Sequence, residues 1–287
     1  AAAMRPPVAA VLGRAATTRL SAAARMPEVA VASRLRSADA RFFGGDGLFE
    51  RVARATCRAD ANVPRKELAE NWAMATRVHD EFFRDAVAAP RRVVDVAAGH
   101  GLLGWFLLAL CASTGHAPTI YAVDRAMPAS ATALRDSFGA AFPSLRASHR
   151  FIVDDAAHVR AEATTLIAAL HACGELSDVA LDAAVRSGAP CALVPCCHSR
   201  KNLDALPEAR ADVEALGLDE ALDAARARRL VAAGYEVRRG ELCPREVTPK
   251  NQLIFARPTA IAVCRPAPAP PLYPRALPGL SWKKCAR

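Results

Sequence analysis

Val93-Val94-Asp95-Val96-Ala97-Ala98-Gly99-His100-Gly101-Leu102-Leu103-Gly104 runs from a β-branched stretch through two close glycines into an apolar one. The pattern predicts a strand, a sharp turn and a helix. Glycines at such a turn let the backbone bend tightly and let a ligand approach with no Cβ in the way. Asp124 closes the next apolar run, "YAVD", about 20 residues further on, where an acid can accept hydrogen bonds from ribose hydroxyls. Asp154 and Asp155 close the third run, where an acid or its backbone can meet an adenine edge. Acids ending three successive strands point to an adenosine-containing ligand at their C-terminal ends.

The same alternation continues on both sides. Strand-like runs occupy 91–98, 119–125, 150–155, 164–174 and 190–197, with helical sequence at 101–113, 128–142, 176–187 and 218–233. Strands and helices on this beat imply a parallel sheet covered on both faces. Two extended segments, 235–243 and 251–264, follow without a helix between them and are expected to pair antiparallel at one edge. Before the first strand, Leu48, Val52, Leu68, Trp72, Ala75, Val78 and Phe82 recur at helical spacing. The fold class expected is α/β: a Rossmann-like, doubly wound, mostly parallel sheet with an antiparallel edge hairpin, preceded by N-terminal helices. The divisions are a basic tail at 1–47, a helical extension at 48–90, the main domain at 91–264 and a Pro-rich basic tail at 265–287.

Composition narrows the function classes. The longest apolar run, Leu102–Ala112, falls short of the roughly 20 residues a bilayer demands, so no membrane partner is expected. The net charge is +9. Residues 1–41 contribute seven Arg less Glu28 and Asp39, or +5; residues 257–287 contribute six cations and no acid, or +6, leaving −2 for the body. Basic arms can grip phosphates, and the body adds local clusters at Arg200-Lys201 and Arg226-Ala-Arg228-Arg229. The acid-free, Arg- and Ala-rich start reads equally as a mitochondrial or chloroplast transit peptide or as a biased tail. Nine irregularly spaced cysteines indicate a reducing, intracellular setting rather than a disulfide scaffold.

Gly99-x-Gly101-x-x-Gly104 also satisfies the dinucleotide pattern, but Asp95 would repel a pyrophosphate, whereas a cationic sulfonium ligand welcomes it. Together, "VVDVAAGHGLLG" and "YAVDR" resemble the first two motifs of class I S-adenosylmethionine-dependent methyltransferases, with Ala97 at the first glycine of D-x-G-x-G-x-G. The resemblance implies S-adenosyl-L-methionine as cofactor, bound by Asp95, Ala97, Gly99, Gly101, Asp124, Asp154, Asp155 and His171. "ALHACGELSDVALDAAV" followed by "CALVPCCHS" is similar to paired signatures of the tRNA acceptor-stem 2′-O-methyltransferase family and of a related methyltransferase-like group. "VTPKNQLIFAR" resembles a closing segment of that group. The likeness spans roughly residues 65–257 and lacks the zinc-finger module of the tRNA enzymes; it implies RNA as acceptor. An acceptor of protein or small-molecule type, and a non-catalytic binding or assembly module, stay open.

Within these signatures His171 and His198 are the candidate catalytic bases, His171 preferred, and each is equally readable as a loop-bonding histidine. Cys173, Cys196 and Cys197 are expected to line the substrate pocket, with Cys196-Cys197-His198 facing His171 across the crevice. No metal is expected, because adjacent cysteines at a strand end should point to opposite sides and zinc sites favour wider spacing. Asp178 reads either as orienting the His171 loop or as helix-start chemistry. Glu67, Asn71 and Trp72 read either as a roof over the cofactor or as an exposed face with one core aromatic.

Overall fold

The computed structural model describes residues 33–249 and 251–259. The Arg- and Ala-rich N-terminal stretch through residue 32 and the Pro-rich arm lie outside the described residues.

Strands β1 (Arg92–Val96), β2 (Thr119–Asp124), β3 (His149–Val153), β4 (Thr165–Cys173) and β5 (Cys191–Cys196) are parallel. With β6 (Tyr235–Glu241) and β7 (Gln252–Pro258) they form one sheet in the order β3-β2-β1-β4-β5-β7-β6. β7 runs antiparallel between β5 and β6. The expected hairpin therefore exists, but it docks through its second strand, and β6 is the edge. β1 and β4 are neighbours out of sequence, so the order reverses beside β1, and an open α/β sheet has its ligand crevice at such a point.

One face carries α1 (Leu48–Arg58), α2 (Arg65–Phe82), α3 (Leu102–Ser113) and α4 (Ala129–Ala141); the other carries α5 (Leu176–Ser187) and α6 (Leu218–Ala232). α3 is apolar nearly all round because it is sandwiched between the sheet and α1 and α2. The helically spaced Leu68, Trp72, Ala75, Val78 and Phe82 are all buried on α2. Trp72 sits in an aromatic column, 5.1 Å from Phe49 and 6.1 Å from Phe106 between ring centroids. It is thus a core residue. The N-terminal helices share one apolar core with β1, β2, β4 and β5. Leu35 and Phe43, within the stretch read from sequence as tail, are buried in that same core. A short antiparallel bridge joins Arg34 to Pro64, which precedes α2. Among the described residues no helix is long and apolar enough to cross a membrane.

Candidate active site

Three segments at the carboxyl ends of β1, β4 and β5 build the site: the first two meet the N-terminal half of α2, and the third lies beside the end of β4. The first leaves β1 through Ala97, whose φ of +59° is the left-handed conformation that glycine adopts freely. Gly99 also has positive φ, +56°, and a Cβ there would meet nothing within 4 Å, so its outer side is open. Gly104 differs: a Cβ would come within 2.7 Å of His149 Nε2 and 2.8 Å of Ile120 Cγ2. The last glycine of the pattern thus serves helix-on-sheet packing, while Gly99 leaves room for a ligand.

Asp124 fixes this loop. Its carboxylate accepts the Gly99 N–H at 2.8 Å and the Arg125 N–H at 2.7 Å. A carboxylate has about four lone-pair sites, which leaves acceptor capacity for a ribose hydroxyl. From below, His149 stacks on Trp105 with centroids 4.2 Å apart, and its Nε2 lies 3.0 Å from the Gly101 carbonyl. Burial pushes the His149 pKa down to about 4, so the ring is neutral and donates that bond.

Asp95 lies at the floor. It is only 2% exposed, and its Oδ2 is buried with no hydrogen-bond partner. Burial, and then the charge of Asp124, raise its pKa to about 8. An orphaned, uncharged acid at a crevice floor suits a cationic ligand, which would return it to the carboxylate form. Asp154 and Asp155 are engaged differently. Asp154 meets His158 at 2.8 Å, while Asp155 caps the turn at Ala156–His158 and pairs with Arg125 at 2.6 Å. These contacts shape the end of β3 and its link to the β2 loop.

Near the end of β4, before the second loop, His171 has φ +57° at the point where pairing with β5 slips between Leu170 and Ala172. The slip presents His171 to α2. Its Nε2 lies 3.2 Å from Oε1 of Glu70, a fully buried carboxylate, though not aligned as a hydrogen bond. Burial by itself would raise the Glu70 pKa; His171, Lys66 and Thr248 outweigh it and hold the group below its ordinary value, so it stays ionised. One turn earlier on the same helix, Glu67 reaches to 3.7 Å from His100 Nε2 in the glycine loop. α2 therefore places one acid on each of two crevice loops. Glu67 thus touches a crevice loop, and Glu70 is a site residue that the sequence does not single out. Its only sequence signal was the i, i+3 spacing of the two acids on one helix face. Asn71 donates back to the Glu67 carbonyl at 2.7 Å, which is helix chemistry.

The third loop corrects two expectations. His198 does not face His171 across the crevice: its ring is 3% exposed, with Nε2 2.8 Å from Asp223 Oδ1. Asp223 in turn binds Arg226, 1% exposed, which also makes a two-atom contact with Asp178 at 2.9 and 2.8 Å. His198 and Asp178 thus belong to a buried ionic network joining the β5 loop to α5 and α6. The network also removes Arg226 from any phosphate-gripping patch, and Arg228 and Arg229 are paired with Asp212 and Asp182. The second correction concerns the cysteines. Cys197 takes a left-handed φ of +55°, so its thiol turns to the same side as that of Cys196.

Comparison with known proteins fits this geometry. Residues 66–202 match a family model described as a methyltransferase domain. That stretch is similar to a methyltransferase domain. The open Gly99, the buried Asp95 with its unpartnered Oδ2 and the strand-end Asp124 fit S-adenosylmethionine as the donor. Comparison with curated proteins gave no match. Among solved structures, it resembles the SAH-bound Podospora anserina methyltransferase PaMTH1, with 14% identity, TM-score 0.46, and coverage of 90% of this chain and 100% of that one. It also resembles an O-methyltransferase family protein from Burkholderia thailandensis, at 16% identity and TM-score 0.39, covering 73% of this chain and 62% of that one. Human N-acetylserotonin methyltransferase shows 13% identity and TM-score 0.38, covering 84% of this chain and 66% of that one.

Proposed function

We propose that the protein transfers the methyl group of S-adenosylmethionine to a hydroxyl of RNA, with His171 taking the proton. The contact between Glu70 and His171 at the end of β4 carries this reading. The donor supplies a methyl on a positively charged sulfur, so the protein's main task is to align donor and acceptor. Asp95 would bind the cationic aminoacyl portion, the glycine loop would leave room for the nucleoside, and Asp124 would accept from the ribose. His171 keeps Nε2 toward the ionised Glu70, which leaves Nδ1 to receive the hydroxyl proton. Glu70 stabilises the cationic ring that results.

RNA is favoured by the signatures at His171-Ala-Cys173-Gly174 and Cys196-Cys197-His198. Support also comes from the charges of +5 and +6 on residues 1–41 and 257–287, and from exposed Arg200 and Lys201 beside the β5 loop. A second reading, with a protein or small molecule as acceptor, is favoured by the body charge of −2 and by the internal pairing of Arg226, Arg228 and Arg229.

The full chain incubated with methyl-labelled S-adenosylmethionine and a cell extract should label a nuclease-sensitive fraction. The label should disappear in His171→Ala while cofactor affinity is retained. Label confined to a protease-sensitive fraction would select the second reading, and undiminished labelling by His171→Ala would remove the base.

A further inference from the structure

Three thiols close on one point at the wall of the crevice. Cys173 ends β4, Cys196 ends β5 directly beside it in register, and Cys197 follows. The sulfur of Cys173 lies 3.0 Å from that of Cys196 and 3.2 Å from that of Cys197, and Cys196 and Cys197 are 3.7 Å apart. The backbone is bent to achieve this. In a regular strand the two adjacent cysteines would diverge, but Cys197 is left-handed, and so is His171 beside the slip in β4. A left-handed residue other than glycine is disfavoured; Cys197 is itself a member of the cluster, and His171 lies two residues before Cys173. The other described cysteines behave differently: Cys57, Cys111, Cys191 and Cys243 are each buried, and burial pushes each thiol up to about 12.

We propose that Cys173, Cys196 and Cys197 form a three-thiolate site for a soft divalent cation, zinc. Zinc–sulfur bonds of about 2.3 Å in a tetrahedron place the sulfurs about 3.8 Å apart, so the three need to spread by less than about 1 Å. Hard cations such as magnesium and calcium take oxygen donors, and the cluster offers sulfur alone. On binding, three sulfur–zinc bonds form, each remaining thiol proton leaves to solvent, and nothing is oxidised or reduced. Cys196 is buried, whereas Cys173 and Cys197 are partly exposed, so the fourth coordination position opens outward. Such an ion would staple the ends of β4 and β5 and hold His171 in its bent conformation.

The test uses the full chain, reduced and metal-stripped, with Cys264→Ser and Cys285→Ser to remove the two cysteines outside the described residues. Calorimetric titration with zinc should show one ion per chain with proton release. Cadmium should give an ultraviolet thiolate-to-metal band of three-thiolate intensity. Cys197→Ser, a near-isosteric change at a partly exposed site, should weaken zinc binding at least about 100-fold while leaving the far-ultraviolet circular dichroism unchanged. The absence of a saturable one-to-one event would overturn the proposal, as would unaltered affinity in Cys197→Ser. So would conversion of these thiols to a disulfide in air despite added zinc. None of these outcomes depends on which acceptor is methylated.

Discussion

Glu70 of α2 and His171 of β4 meet at 3.2 Å across the joint between the N-terminal helices and the sheet. A fully buried carboxylate and a 23% exposed imidazole thereby link a helix that precedes the sheet to the edge of the crevice. The contact gives α2 a chemical role as well as a packing one.

Glu70→Gln keeps the volume and removes the charge that stabilises protonated His171. The expected result is a fall in kcat of about 10- to 100-fold, smaller than the loss in His171→Ala. The dissociation constant for S-adenosylmethionine should be unchanged. Glu70→Asp, which retains the carboxylate, should restore part of the rate. Steady-state kinetics beside calorimetric cofactor binding separates this positioning role from a general loss of structure.

Asp95 makes cofactor binding depend on pH. Its folded pKa, raised to about 8, lies above the ordinary value of 3.8, so the free protein keeps the proton at neutrality. A cationic donor favours the carboxylate, so binding releases a proton, and affinity should rise from pH 6 toward pH 8. The same sign governs stability. Between the two pKa values the folded state binds more protons than the unfolded one, so this residue's contribution declines as pH rises. Asp95→Asn should flatten the rise in affinity and bind more weakly at pH 8; titrations in buffers of different ionisation enthalpy would detect the released proton.

The ionic network beneath the β5 loop should be intolerant of single losses. Asp178→Ala leaves the Arg226 guanidinium buried with Asp223 as its only remaining carboxylate. Breaking a buried pair in this way costs about 3–5 kcal/mol. The urea midpoint should drop accordingly, and Asp178→Asn should recover part of the loss through its hydrogen-bonding oxygen.

Gly104→Ala introduces a methyl group against His149 and Ile120, where α3 packs closest to the sheet. Overpacking of this kind costs about 1–3 kcal/mol. Because His149 also holds the Gly101 carbonyl, cofactor affinity should weaken together with thermal stability. By contrast, Gly99→Ala meets no atoms, so its effect should come from its positive φ and from the space it removes from the ligand.

Much of this molecule follows from local pattern. The runs at 91–98, 119–125 and 150–155 became β1, β2 and β3, because short β-branched stretches alternating with helices leave little alternative to a parallel sheet. The helical face of α2 followed from the spacing of Leu68, Trp72, Ala75, Val78 and Phe82. Glu70 stayed hidden because burial decides what an acid on a helix does, and burial depends on which element packs above it. His198 was misplaced for the same reason: its position after β5 was legible, but its partner, Asp223, comes from α6.

The sequence by itself determined the strand–helix alternation, the glycine turn after β1 and the acids at the strand ends, since each of these is a matter of spacing along the chain. Only the tertiary structure decided that Glu70 touches His171, that Arg226 is sealed between two carboxylates, and that three thiols converge. Those contacts depend on sheet order, on the slip beside His171 and on the left-handed turns at His171 and Cys197. A one-residue change of phase sends a side chain to the opposite face, and no periodicity in the sequence marks where it occurs.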